Sequence, residues 1–434
     1  MGRPPSSTAY PCGSTLEPPA PLRDVAVSAG CTRTAGLLQL ATSCMSAPFP
    51  RRRRLLSIVL VVSGVFALLH LYPGRRLLSD THLTAGWTAL GWVLLGLAVA
   101  AVPAGFFLVR AHGNRLTRGL FAFATFWLGA AGILLTATLA TDAVRLAWDV
   151  ARGFPQGLAR VHEARLQALA LLGLAVLLTG WALLSAARVL KLRRVTVRLS
   201  GLGSGLEGLR IVQISDLHIH RPLDRQFLRR VVEKVNALVP DVVAVTGDLV
   251  DGLVPAVRDF IAPLGELRAR FGVYYVTGNH EYYWGGPEWE AEVDRLGLTV
   301  LRNSHRVIAR DGSELALGGV PDLQGGRFHP DHACRPDLAF AGAPPGAPRV
   351  LLAHQPAAAR SAAQAGVQLQ LSGHTHGGQI FPFHLFVWLS QPVLSGLRKL
   401  WGIWVYTHRG TGTWGPRMRL GAAPEIAEIT LRAA

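Results

Sequence analysis

Charge is scarce where this 434-residue chain is most apolar: the runs 84–109, 119–141 and 166–187 contain no Asp, Glu, Lys or Arg. Each is long enough to cross a hydrocarbon core of ~30 Å, which needs about 20 residues, and buried soluble helices seldom stay uncharged over that length. A fourth run, 55–72, is shorter; with no small-residue cleavage site after it, a span is favoured over a removed leader. Cysteine is also sparse: four residues (Cys12, Cys31, Cys44, Cys334) without metal-motif spacing, which implies no disulfide framework. Acidic residues are few at the start, with 6 Asp+Glu against 21 Lys+Arg in residues 1–199, and 21 against 23 thereafter. The net charge of +17 therefore flanks the apolar runs and reads as a topology signal, so nucleic acid is not expected as a partner.

Residues 1–44 are rich in Pro, Ser, Thr and Gly without apolar periodicity, which predicts disorder. Met45-Ser-Ala-Pro-Phe-Pro followed by four arginines has the look of an ordinary membrane-protein start, so 1–50 is expected to be a disordered or mis-started extension. Residues 51–190 form a region of about four transmembrane helices, 191–205 a basic linker and 206–434 a separate α/β domain. Arg51–Arg54, the arginines at 110, 115 and 118, and the cluster Arg188, Lys191, Arg193, Arg194 and Arg198 all fall on one side of a four-span arrangement. The positive-inside rule makes that side cytoplasmic, and the α/β domain with it, in a multi-pass protein of the cell membrane. Against this stand Arg75-Arg76, four arginines of a 142–165 loop, and a loose twin-arginine export pattern in RRRRLLS, which would turn the domain outward.

After residue 200 short β-rich runs alternate with helical stretches such as 223–238 and 256–270. Strands are expected at 209–215, 241–246, 272–277, 297–302, 314–320, 349–353, 367–371, 403–408 and 426–431. Several end in metal-type residues: Asp216-Leu217-His218, Gly247-Asp248, Gly278-Asn279-His280-Glu281, His354 and Gly373-His374-Thr375-His376. Strands that end this way can bring those groups to one sheet edge, where α/β proteins place ligands.

Hydrolysis of a phosphate ester needs an ionised attacking oxygen, neutralised phosphoryl charge and a stabilised leaving oxygen; two divalent ions about 3.5–4 Å apart supply all three. Asp216 and His218, two apart at a strand end, can chelate one ion. Asp248 can bridge, since one carboxylate offers two oxygens. Asn279, His354 and His374 complete the second site, and His376 turns to the first. Two dications, two carboxylates and one bridging hydroxide leave about +1, which attracts a phosphate anion. His280 is spared from coordination as a proton donor to the leaving group or a stabiliser of phosphoryl charge. Asp251 is the candidate to orient it, with a solvated turn residue as the alternative.

The ordered set D-x-H, G-D-x-x-D, G-N-H-E, a lone His after a strand and G-H-T-H-G-G-Q resembles the calcineurin-like metallophosphoesterase superfamily, in particular its membrane-tethered bacterial branch. The resemblance covers about 206–431. It implies a four-layer α/β/β/α sandwich, a dinuclear Mn, Fe, Zn or Mg centre, and the ligand roles named for Asp216, His218, Asp248, Asn279, His354, His374 and His376. Phosphoprotein phosphatases of the superfamily carry Arg-Gly after the second Asp of G-D-x-x-D; here Asp251 is followed by Gly252-Leu253, which argues against phosphoprotein. The expected activity is hydrolysis of a phosphodiester, diphosphate or phosphomonoester, with the membrane part suggesting a lipid-linked substrate. Two rivals are an exported envelope-modifying phosphoesterase and a non-catalytic metal-binding membrane scaffold or sensor.

Four further features have two readings each. Gly377, Gly378 and Gln379 either let backbone pass close to the metals or form a plain turn. Arg417 and Arg419 either meet substrate phosphate or make structural ion pairs. His329, His332 and Cys334 are a small metal cluster or a loop. The apolar, aromatic run 380–405 is a wall or membrane-dipping hairpin for a lipid-linked substrate, or an ordinary core strand.

Overall fold

Backbone amides within an apolar run satisfy one another in a helix, and the uncharged runs fold accordingly. The computed structural model describes residues 51–434 except Gly113, Pro155, Arg188 and Val189. The expectations for 1–50 and for Arg188 therefore fall outside the described residues. The chain divides into a unit of residues 1–61 and one of 62–434, and the second holds every described strand.

Helix α1 covers Arg51–Gly74, α2 Ala85–His112, α3 Arg115–Arg152 and α4 Gly157–Ala187. Among the described residues, three helices are long and apolar enough to cross a membrane: residues 85–109 of α2, α3 and α4. The expected span at 55–72 forms helix but is not one of these three. A second difference concerns 142–165, expected as a loop. At 1.5 Å per residue the 38 residues of α3 extend ~57 Å, well past a hydrocarbon core, so the segment is mostly helix. Asn114 starts α3, its side-chain oxygen accepting from Thr117 N at 2.9 Å. Arg76 pairs with Asp80 at 2.7 Å and Asp142 at 2.9 Å.

The segment 191–205, expected as a basic linker, begins instead with strand β1 (Lys191–Leu199). It runs parallel to β12 (Glu425–Ala433), and its arginines find carboxylates there: Arg194 lies 2.9 Å from Glu428 and Arg193 3.6 Å from Glu425. Between them run β2 (Arg210–Ile214), β3 (Val242–Thr246), β4 (Val273–Val276), β5 (Thr299–Val300), β6 (Ser304–Arg310), β7 (Ser313–Gly319), β8 (Arg349–Leu352), β9 (Leu369–Ser372), β10 (Gly396–Leu400) and β11 (Ile403–Thr407). They make two mixed six-stranded sheets, ordered β1-β12-β2-β3-β4-β5 and β10-β11-β9-β8-β7-β6. All nine expected strands are present, with the one expected at 297–302 reduced to Thr299–Val300; β1, β6 and β10 were not foreseen.

One apolar core takes residues from both sheets, such as Ile211, Val242 and Val276 with Leu317, Leu352 and Leu371. A second joins Val212, Val243 and Tyr275 to helix α5 (Pro222–Ala237) and to the short helices after β3 and β4; a third joins Leu351 and Val405 to the short helices after β7 and β8. Because β2, β3 and β4 are parallel neighbours, as are β8 and β9, their C-terminal ends open toward one edge.

The long apolar helices and the α/β part touch directly. Gly129 and Gly132 of α3 leave room for Met418, Pro416 and Phe383: a Cβ on Gly129 would lie 2.8 Å from the Met418 sulfur, and one on Gly132 2.8 Å from the Phe383 ring. Ile133 and Ala182 share a buried cluster with Ile380 and Met418, and Arg419 N donates to Ala182 O at 2.9 Å.

Candidate metal centre

The five foreseen loops leave the C-terminal ends of β2, β3, β4, β8 and β9, and their side chains meet. Ligand atoms of Asp216, His218 and His376 lie within 4.8 Å of one another, as do those of Asp248, His354 and His374, and a third group joins His218, Asp251 and His280. Asp248 of the second group also approaches the first, its Oδ2 lying 3.2 Å from His354 Nε2 and 3.8 Å from His218 Nε2. The expected residues all lie here, Asn279 among them, buried beside the cavity.

Bringing these loops so close strains them. Asp216, His218, Asp248, His374 and His376 have φ between 50° and 69°, a left-handed region that non-glycine residues rarely occupy. Such strain persists only where the surroundings hold it, and it concentrates at functional sites. Gly373 must be glycine, because a Cβ there would collide with Ser215 Oγ and Asp216 Oδ2. Gly378, at φ 79°, would put a Cβ into the His384 backbone, so that position needs glycine for its close packing on the segment that follows.

Hydrogen bonds fix the orientations. His374 N donates to Asp216 Oδ1 at 2.9 Å and His280 N to Asp248 Oδ1 at 2.9 Å. His354 Nδ1 donates to Thr246 O at 2.7 Å, which leaves Nε2 to face Asp248. Burial and the neighbouring His354 push the His374 imidazole down to about 3, and burial with Arg419 holds His376 well below its usual value, so both rings present lone pairs. Burial opposes a charged His354, yet Asp248 and Asp216 draw its pKa well up.

The polar atoms left over show what the site wants. Asp216 Oδ2, Asn279 Oδ1 and His354 Nε2 are buried without a hydrogen-bond partner, and the Nε2 atoms of His218 and His376 face each other at 3.0 Å. Buried acceptors without donors are costly, and divalent cations are the natural partner for mixed carboxylate, amide and imidazole donors. The residues fit metal.

His280 belongs to neither of the first two groups, though its ring stands edge-on to His218 with centroids 4.6 Å apart. Its Nδ1 donates to Asp251 Oδ1 at 2.5 Å; burial opposes its charge, but Asp248 and Asp251 carry its pKa up to about 9. Asp251 is held well below the carboxylate range by His218 and His280 despite its burial, and His218 Nδ1 is 3.2 Å from it. The solvated-turn alternative for Asp251 does not match this placement.

One further residue had no assigned part, and another had two readings open. Glu281 is fully buried and accepts from the backbone N–H groups of Asp248 (3.0 Å), Leu249 (2.7 Å) and Gly278 (2.6 Å), clamping the β3 loop to the β4 loop. Burial beside Asp248 raises its carboxyl to about 7. The sequence signal was its place three residues after Gly278, the N3 position of a helix start. Arg419, a candidate for substrate phosphate, is also fully buried. It donates to the carbonyls of His376 (2.9 Å), Arg409 (2.6 Å), Ala422 (3.3 Å) and Gly412, so its work is to hold the His376 loop. Arg417 pairs with Asp224. Gln379 bonds Trp414 and Pro416. His332 bonds Tyr282 at 2.8 Å and also Arg302, and no metal group forms there among the described residues.

The run 380–405 divides. Residues 396–400 and 403–407 are β10 and β11, but Phe383–Ser390 is a short helix, here α12, with no buried residue. Phe386 and Trp388 are each 66% exposed and Leu389 80%. A cavity of about 490 Å³ runs from His218, Asp248, Asn279 and His374 to Leu128 of α3 and to Phe383, Phe386 and Val387 of α12. Polar donors stand at one end and apolar side chains at the other.

Residues 209–378 match the calcineurin-like phosphoesterase family. The transmembrane protein with metallophosphoesterase domain of Bos taurus is 32% identical over 404 residues, spanning 87% of this chain and 90% of that protein. This chain belongs to the calcineurin-like phosphoesterase family. The zebrafish (Danio rerio) protein of the same description is 38% identical over 265 residues, 59% of this chain and 61% of its own length. Among solved structures, sulfate thiohydrolase SoxB of Thermus thermophilus is similar at a TM-score of 0.34 and 14% identity, over 52% of this chain and 57% of that one. The bovine match exceeds the calcineurin-like part and takes in residues of the membrane region. This chain thus has a calcineurin-like phosphoesterase domain with candidate metal-binding residues, preceded by three helices long and apolar enough to cross a membrane, and its relatives are named as transmembrane proteins with a metallophosphoesterase domain.

Proposed function

We propose that this phosphoesterase holds two divalent ions, one on Asp216, His218 and His376 and one on Asn279, His354 and His374, with Asp248 between them, and hydrolyses a phosphoester carried by a lipid. The two ligand groups, Asp216 with His218 and His376 and Asp248 with His354 and His374, are the observation that carries the reading. Bound ions would supply an acidified water and positive charge toward the phosphoryl group. Mn, Fe, Zn and Mg all suit this donor set. The chain's own residues do the rest. Asp251 orients His280 through the 2.5 Å contact, and the protonated ring gives its proton to the leaving oxygen or bonds a phosphoryl oxygen. Glu281 keeps the Asp248 and Asn279 loops at a fixed distance. Phosphodiester, diphosphate and monoester all fit this chemistry. The helices around the two sheets support a four-layer α/β/β/α domain, α1 is proposed as a fourth span, and the basic clusters support a cytoplasmic domain in a multi-pass protein of the cell membrane.

The lipid half of the proposal rests on the cavity. Its apolar end, between α3 and α12, faces the side where α3 would meet bilayer, so an acyl chain can remain among Phe383, Phe386 and Val387 while its phosphate reaches Asp248. Changing Phe386, Trp388 and Leu389 to Ser together should lower turnover of a bilayer-presented phosphodiester about tenfold or more. Turnover of a soluble aryl phosphodiester should stay near its parent rate. Equal rates on both substrates in parent and variant would refute the lipid assignment.

His280→Ala should slow turnover about a hundredfold while both metals stay bound. The sign of the pH effect follows from the raised pKa. His280 holds its proton below about 9 and loses it as pH rises through that value, so the parent rate should fall on the alkaline side. The variant should lack that limb. Metal loss in the variant, measured by elemental analysis, would show that His280 is a ligand instead.

A further inference from the structure

A second cavity, of about 680 Å³, lies on the other side of His218, where the last turn of α4 meets α5. We propose that it binds the phosphate headgroup of an anionic phospholipid, a site distinct from the one that carries out hydrolysis.

Its walls have two characters. Leu183, near the end of α4, Leu190, just beyond it, and Phe227 of α5 form an apolar side. Arg221, Arg230, Lys234 and Arg417 set four cations against a single lining carboxylate, Asp224. That carboxylate is already engaged: it accepts from the backbone N–H groups of His220 at 3.2 Å and Arg221 at 3.0 Å, and it pairs with Arg417. Arg221 Nε is buried without a hydrogen-bond partner, 3.8 Å from the nearest Asp224 oxygen. Phe227, Arg230 and Lys234, spaced by three and four, share one face of α5. Among the described residues neither Arg230 nor Lys234 has a carboxylate within ion-pair distance, whereas Arg193 and Arg194 beyond the same span are paired with Glu425 and Glu428.

Depth selects the ligand. The end of a spanning helix lies at the boundary between hydrocarbon and headgroups, and the phosphates of anionic lipids concentrate there beside basic side chains. A phosphodiester anion would meet Arg221, Arg230 and Lys234, and its acyl chains would pass along Leu183 and Leu190. Free phosphate offers the same charge without the chains, so the two sources can be separated by experiment. The inference rests on α4 lying in the membrane and needs no turnover, so it stands or falls apart from the hydrolase reading.

The full chain, purified in mild detergent, would be titrated with phosphatidylglycerol, phosphatidylcholine or inorganic phosphate, and intact adducts counted by native mass spectrometry. Phosphatidylglycerol should be retained over phosphatidylcholine, and R230Q/K234Q should weaken that retention about 30-fold. R225Q/R229Q removes the same charge from α5 outside the cavity and should change it little. Equal weakening in the two double variants would overturn the proposal, as would equal retention of both lipids. Inorganic phosphate that displaces phosphatidylglycerol at the same concentration would show a simple anion site and overturn it too. Size-exclusion profiles and circular dichroism identical to the parent confirm that the exposed substitutions leave the fold intact.

Discussion

Asp248→Asn is expected to lower phosphoester turnover by ~10³-fold or more and to reduce bound metal to one ion or none. The carboxylate lies between the two groups of imidazoles, with Oδ2 3.2 Å from His354 and 3.8 Å from His218, and Oδ1 receives the backbone N–H of His280. An amide of the same shape keeps one acceptor but turns a donor toward one ring and removes a unit of negative charge from a crowded set of neutral and cationic groups. The fold should survive, because Glu281 holds the same loop by backbone contacts. Elemental analysis with steady-state rates on an aryl phosphodiester checks both halves. A variant with two ions and parental turnover would remove Asp248 from the centre of the mechanism.

Arg419→Met is expected to cost about 4 kcal/mol of stability, a drop of roughly 10 °C in the unfolding midpoint. The guanidinium is wholly buried, and burial pulls its pKa down to about 10 against the attraction of Asp216 and Glu425. Removing it takes the guanidinium from the carbonyls of Arg409, Ala422 and Gly412 together and leaves the His376 carbonyl the amide of Gln379 at 3.1 Å. Arg419→Lys should recover little, since one ammonium cannot reproduce a fork with several fixed N–H directions. Differential scanning calorimetry of the metal-free protein measures this directly. A midpoint within a degree or two of the parent would mean that water replaces the side chain at those carbonyls.

The candidate metal site was legible because each expected ligand directly follows an apolar run: strand period and strand end together place Asp216, Asp248, Asn279, His354 and His374 at one edge. His280 and Asp251 were also legible, since adjacency to a ligand and a three-residue spacing are local facts. Glu281 and Arg419 were not. Their partners are backbone atoms, many of them distant in the chain, and sequence patterns carry no sign of such bonds. Strand β1 was hidden for a related reason: KLRRVTVRL reads as basic and solvated until Glu425 and Glu428 come alongside. In 380–405 uniform hydrophobicity erased the periodicity that would have separated a short exposed helix from two strands. The long continuation of α3 through 142–152 was obscured by Asp142 and Asp149, which look like loop charges but pair with Arg76, and with Arg145 and Arg160.

Only residues 188–190 separate α4 from β1, and Met418 and Ile380 sit in a shared cluster with Ile133 and Ala182. Severing the chain at this joint would not release a water-soluble enzyme. It would bare a greasy face beside the loop that carries His376, and the Ala182 carbonyl would forfeit the amide of Arg419. The apolar helices and the α/β part are therefore expected to mature as one piece, with the candidate metal groups held at a set distance from the helices rather than roaming on a leash.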